Sequence, residues 1–353
     1  MKKYLMIFAA LVLLPFAAGY DQDEYVIFTY EQALHMALQD MLFIIDTDAQ
    51  IEELQDTRNE IRDELRRVHG WGTPARGTAA YETRREIIEL ERQILNITLR
   101  QEQAKLSRES NLRRAIVATM AYDVSLYVME ASLILVEEDL NRANIRHTFG
   151  LISANNLRAA QTALTQAQLD MQELIRNRNT SMQNLNYLLG ESLDQVTRVD
   201  FEWEIFELSD INFSNIILGT PTIRQYQIDV DRKREARRAY EGNDRDTIAE
   251  LREAYERIVL ERNQAITAME VSIRRGISDL ENLLLQREAL IIELEDAYLA
   301  MEAILTNHEL GRATLHDVNQ SQLRILRIRQ RIDTNLSSKW THTFLLENPS
   351  LLP

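Results

Sequence analysis

Residues 79–149 contain neither glycine nor proline, and residues 247–310 contain a single glycine, Gly276. Without a breaker, the backbone's simplest way to satisfy its own N–H and C=O groups is one continuous helix. At ~1.5 Å per residue the first stretch would reach about 105 Å, several times the diameter of a small domain. The whole chain has 10 Gly and 5 Pro in 353 residues. Sandwiches, β-barrels and most α/β folds need a turn every ten or so residues, so this shortage disfavours them. The chain must instead be a few very long helices.

Such helices need partners, and the apolar spacing supplies them. Leu126, Met129, Leu133, Val136, Leu140 and Ala143 follow one another at intervals of 3, 4, 3, 4 and 3, a coiled-coil seam. Gly150 interrupts it. Leu157, Ala160, Leu164, Ala167, Met171 and Leu174 then repeat the same intervals. Two seams flanking one glycine predict a helical hairpin with its tip at Gly150. The pattern recurs in Leu290, Leu294, Ala297, Met301 and Ile304, then Gly311, then Val318, Ser321, Ile325, Ile328 and Ile332. An offset of 161 places Gly150 on Gly311, His147 on His308, Ser153 on Thr314, Asn156 on Asp317 and Gln161 on Gln322. Apolar matches alone would fit any two coiled coils. The polar and glycine matches indicate an internal duplication.

The remaining signals set the boundaries. Lys2 and Lys3, an apolar run over 4–18, and Ala17-Ala18-Gly19 read as a secretory signal peptide over 1–19, cleaved after Gly19. No later segment reads as apolar enough to span a membrane as a helix. Thr29 and Gln32 form a capping-box pair for a helix over 30–40 with Ala33, Leu34, Ala37 and Leu38 on one face. Helical periodicity continues over 41–69 through Ile44, Ile51, Leu54, Ile61, Leu65 and Val68, up to a turn cluster over 70–77. The first repeat covers 20–190 and ends at Leu188-Leu189-Gly190. A connecting segment, 191–221, holds Val199, Phe201 and Trp203 in strand-like alternation, and the second repeat covers 222–353. The fold class is all-α: long antiparallel coiled-coil hairpins in two tandem repeats, with at most one or two short strands near 196–204. Apolar residues such as Ile87, Ile94, Val117 and Val124 lie off the seams and predict surface that one chain alone leaves uncovered, hence self-association.

The chain has no Cys and a formal charge of −15. Disulfides, thiol catalysis and Cys-ligated metals are excluded, and the acidic balance argues against nucleic acid as a partner. No phosphate-binding glycine loop, His-Glu-x-x-His or Gly-x-Ser-x-Gly is present, so the expectation is a non-enzyme with no catalytic, cofactor or metal residues. His147 and His308 each precede a tip glycine by three residues. They read as covers for the turn, with a metal or pH role the sharper alternative.

The tips resemble those of the TolC-type outer-membrane efflux protein family, whose two homologous halves each carry a tip reading approximately Arg-Tyr-x-x-Gly-x-x-Ser-x-x-Asp-Val/Leu-Leu-x-Ala-Gln. Here the first runs Arg146-His147-Thr148-Phe149-Gly150-Leu151-Ile152-Ser153-Ala154-Asn155-Asn156-Leu157, reaching Gln161. The second runs Asn307-His308-Glu309-Leu310-Gly311-Arg312-Ala313-Thr314-Leu315-His316-Asp317-Val318, reaching Gln322. Thr29 to Leu38, Leu185 to Gly190, and Thr220-Pro221 with Arg224 are similar to three further family motifs in the same order. The resemblance implies a homotrimeric helical tunnel in the cell envelope that docks through its tips on a periplasmic adaptor and an inner-membrane pump and exports small molecules. It nominates Arg146, His147, Gly150, Leu151, Ser153, Asn156, Leu157, His308, Gly311, Arg312, Thr314, Asp317 and Val318 as the docking tips.

The resemblance stops short of the membrane. Family members insert a β-hairpin between the arms of each half. Here residues 70–80 and 241–245 leave no room for two strands of ~9–11 residues. The alternative function is therefore a coiled-coil spacer of the envelope that retains the helical hairpins without conducting. An adaptor is a weaker third reading, because the small β-rich domains of an adaptor are not evident.

Overall fold

The computed structural model describes residues 26–39, 41–69, 78–200, 213–239 and 244–352. The expected signal peptide, the turn cluster over 70–77, the positions of Phe201 and Trp203, and the break at 241–243 lie outside them.

A short strand β1 (Val26–Thr29) leads into α1 (Tyr30–Gln39). The predicted box forms there: the Thr29 amide donates to Gln32 Oε1 (2.9 Å) and the Gln32 amide to Thr29 Oγ1 (3.3 Å). Then follow α2 (Leu42–His69), the long α3 (Ala79–Thr148) and α4 (Ala154–Leu189). Gly190, at φ 74°, stops α4 in the left-handed region where glycine carries no Cβ penalty. The Asn186 amide donates to the carbonyls of Ser192 and Gln195, folding the chain back into β2 (Thr197–Asp200). The two strands pair in parallel with Val26 opposite Thr197 and Thr29 opposite Asp200. The second half repeats the plan with α5 (Phe213–Gly219), α6 (Pro221–Ala239), α7 (Arg245–Glu309) and α8 (Leu315–Glu347), closed by a 3-10 turn, Pro349–Leu351.

The helices lie side by side in a layer. Toward the tips the order is α4, α3, α8, α7; at the other end it is α2, α3, α6, α7. The middle of the layer is sewn by polar contacts such as Gln330 to Ser125 (2.8 Å) between α8 and α3, and Arg224 to Glu102 (2.9 Å) between α6 and α3. Near the centre of its length, Arg113 of α3 stacks on Tyr30, Trp340 and Phe344, with its carbon 4.3–4.9 Å from each ring centroid, and pairs with Glu109. Burial and the hydrogen bond to Glu109 push the Tyr30 hydroxyl above its ordinary value. This cluster ties the first helix to the last.

Three expectations are corrected. Ile87 is 8% exposed, so it is covered within the chain, because α3 has neighbours on both sides. Likewise α3 does contain a window long and apolar enough to cross a bilayer. In the fold it is the central helix of the layer, packed against α2 and α6 in one half and α4 and α8 in the other. Val68 also lies exposed at the end of α2's apolar face. Uncovered apolar residues occur on α3, at Ile134 and Ile145, and at the tips, and further ones line the two lateral edges. Those at the edges are Leu285, Ile292 and Leu299, seven residues apart on α7, and Leu42, Phe43, Ile45, Leu169 and Ile175 on α2 and α4.

Candidate docking site at the hairpin tips

Both tips use the same turn. At the first, Gly150 (φ 70°) donates its amide to His147 O (2.9 Å) and Leu151 to Arg146 O (2.8 Å). At the second, Gly311 (φ 68°) donates to His308 O (2.9 Å) and Arg312 to Asn307 O (2.7 Å). These paired bonds satisfy the last carbonyls of α3 and α7, and they need a residue in the left-handed region, which is why glycine stands there. A Cβ at either glycine would meet nothing within 4 Å, so the requirement is conformational and not steric.

The returning helices are capped where the sequence places the hydroxyls. Ser153 accepts from the Asn156 amide and Thr314 from the Asp317 amide, both at 3.3 Å. Only the second cap is reciprocal, with the Thr314 amide donating to Asp317 Oδ2 (2.8 Å). That bond and the Thr314 hydroxyl hold the Asp317 carboxyl below its usual range. His308 covers its turn, with Nδ1 2.9 Å from Ala313 O. Among the described residues no group of three metal-binding side chains occurs.

The nominated residues divide into two sets. Arg146, His147, Gly150, Leu151, Ser153, Asn156, His308, Gly311, Arg312 and Thr314 are exposed, and Asp317 is half-buried. Leu157 is half-buried in the first seam and Val318 is buried in the second. As seam residues those two position the tips and offer little to a partner. The apolar tip surface comes from Phe149 (74% exposed), Leu151 (72%), Leu310 and Leu315.

A bridge that periodicity does not reveal brings the tips together. His316 of α8 places Nδ1 3.0 Å from Glu138 Oε2 and Nε2 2.6 Å from Arg142 of α3. Asn319 donates to Glu138 Oε1 (2.8 Å), and Arg142 also pairs with Asp139. The only sequence signal was the position of His316 inside the second tip motif.

No family profile and no curated protein matches this chain. Solved structures do. The Campylobacter jejuni CmeC outer membrane channel superposes with a TM-score of 0.63 at 10% identity, over 90% of this chain and 85% of its own. The Vibrio cholerae outer membrane protein VceC gives 0.62 at 10% identity over 90% and 94%. The open-state Neisseria gonorrhoeae MtrE outer membrane channel gives 0.63 at 11% over 91% and 89%. These neighbours are channels, not enzymes, and the fold of this chain is that of TolC-type outer-membrane channels.

Proposed function

We propose that this protein is a subunit of an envelope efflux conduit, closed by copies of itself, that docks through its hairpin tips on a periplasmic adaptor and an inner-membrane pump. The observation that carries this is the placement of two like-built tips side by side at one end of an open layer. A single copy cannot enclose a passage, and both lateral edges present apolar side chains to solvent. Joining the α7 edge of one copy to the α2 and α4 edge of the next is a head-to-tail contact, which closes when the rotation per copy divides the circle. A homotrimer of exported chains is what the resemblance of the tip motifs to the TolC-type family implies.

The tip test uses Leu151→Glu and Arg312→Glu, which lie one residue past each glycine and outside both seams. Each should abolish cross-linking to a co-expressed adaptor, and export with it, while helicity and Tm stay nearly unchanged. Full association by both variants would leave the tips as turns and nothing more.

One observation favours a second reading, the spacer. The connections from α2 to α3 and from α6 to α7 hold only residues 70–78 and 240–244, too few for two membrane-spanning strands of ~9–11 residues each. A spacer would show the same hairpins with no passage and no tip-dependent export.

A further inference from the structure

The seam between α7 and α8 carries a layer with no counterpart elsewhere in it. Continuing the apolar positions Leu294 and Leu290 by the same 3–4 spacing along α7 reaches Arg287, and continuing Ile328 and Ile332 along α8 reaches Asn335 and Lys339. Lys339 is 8% exposed, with no hydrogen bond or carboxylate partner among the described residues. Arg287 likewise has no ion pair, and its Nε is buried without an acceptor. Asn335 donates to Leu283 O (2.9 Å), and its own Oδ1 is buried and unmatched. Burial, and then the neighbouring Arg287 charge, lower the Lys339 pKa from its ordinary value. Two cations held side by side with no anion between them repel each other.

The duplication shows what is missing. At an offset of 161, Lys339 corresponds to Arg178, which donates from Nε to Asp123 Oδ1 at 2.9 Å. The position matching Asp123 is Leu284, and those matching Arg287 and Asn335 are Leu126 and Leu174. The first hairpin thus has one cation with its anion between leucines. The second has two cations, an amide and no anion.

We propose that Arg287 and Lys339 form a binding site for a small oxyanion, a phosphate or a carboxylate, which supplies the counter-charge that Asp123 supplies in the first hairpin. Arg287 supplies a planar fork suited to two oxygens and Lys339 a point charge. The bound anion fastens the α7–α8 seam and makes the stability of the second hairpin depend on the surrounding anions. This site is separate from the tips and stands whether or not they dock.

The test is thermal unfolding of the full chain in chloride, phosphate and succinate at matched ionic strength. At ten times its Kd, phosphate should raise the Tm of the unaltered chain by about 2 °C over chloride. A like response to succinate would extend the site to carboxylates, and a response to phosphate alone would confine it to phosphate. Lys339→Met should raise Tm in chloride, because it removes a cation held beside Arg287 without an anion, and should erase the anion response. Arg178→Gln, in the first hairpin, should leave that response intact. Should Lys339→Met not fold, Arg287→Gln and a direct phosphate titration of the unaltered chain by calorimetry replace it. Equal Tm values in all three salts, or an anion response that survives Lys339→Met or Arg287→Gln, would overturn the proposal.

Discussion

The two hairpins share a turn, a spacing and a hydroxyl cap, yet they are buried to different depths. In the second, Leu290, Leu294, Ala297, Val318, Ser321, Ile325 and Ile328 are all buried. In the first, the matching seam residues from Met129 to Leu174 are half-buried. For the returning helices the cause is position in the layer. Helix α8 lies between α7 and α3, whereas α4 has α3 on one side and nothing on the other until it nears the strands. A heptad pattern tells a helix that it has a partner. How many partners it has, and so how much each seam residue stabilises, is decided by the assembly around it.

That difference can be broken first at the seams. Ile325→Ala, in the covered second seam, should cost about 2–4 kcal/mol in denaturant unfolding, and Leu164→Ala, in the open first seam, about 1 kcal/mol. Equal costs would mean that the first seam is covered by something other than this chain.

The next contrast is at the centre of the molecule. Gly276 of α7 lies against the buried Leu346, where a Cβ would come within 2.9 Å of Leu346 Cδ2, and the equivalent position in α3 is the buried Ala115. Gly276→Ala should therefore lower stability by about 1–3 kcal/mol despite alanine's better helix propensity, unless the Leu346 side chain shifts freely. A rise in Tm would refute the close packing.

A third contrast is electrostatic. Asp333 of α8 is partly buried, which raises its carboxyl to about 6 despite the charge of Arg329; the first hairpin has Gln172 at that position. With a native pKa above the unfolded value of ~3.9, protonation favours the fold. The stability from this group is full below pH 4 and is lost as pH rises through 6. Asp333→Asn should thus stabilise by about 1–2 kcal/mol at pH 8 and be nearly neutral at pH 4. A pH-independent effect would contradict the assignment.

The smallest difference is at the caps. Thr314→Ala removes a reciprocal box and should cost about 1 kcal/mol or slightly more, against about 0.5–1 for Ser153→Ala, which removes a single bond. Asp317, whose carboxyl is held low, should make the second cap weaken as pH falls below 4 while the first stays unchanged.

The helices, their hairpin pairing and the tips were legible in the sequence, because glycine scarcity, 3–4 spacing and capping residues act locally. The order of the layer was not. It rests on contacts such as Ser125 with Gln330 and Glu138 with His316 and Asn319, polar side chains that leave no periodic trace. For the same reason periodicity places Ile87 on the outer surface and carries no sign of the bridge joining the tips. Gly276, the single glycine of residues 247–310, lets Leu346 approach, a use that glycine scarcity alone does not reveal. The tip glycines take the left-handed turns and the tip hydroxyls cap the returning helices, both local effects that the sequence carries. Leu157 and Val318 were grouped with them only because a tip motif does not distinguish what faces solvent from what begins a seam.

The central claim is that the open edges close on copies of the same chain around a passage. Particle imaging of the purified protein, viewed down the long axis, tests it most directly. The account predicts a ring of three copies with a central hole and with α7 of each copy against α2 and α4 of the next. A solid rod without a lumen, or a well-folded monomer at micromolar concentration, would contradict it.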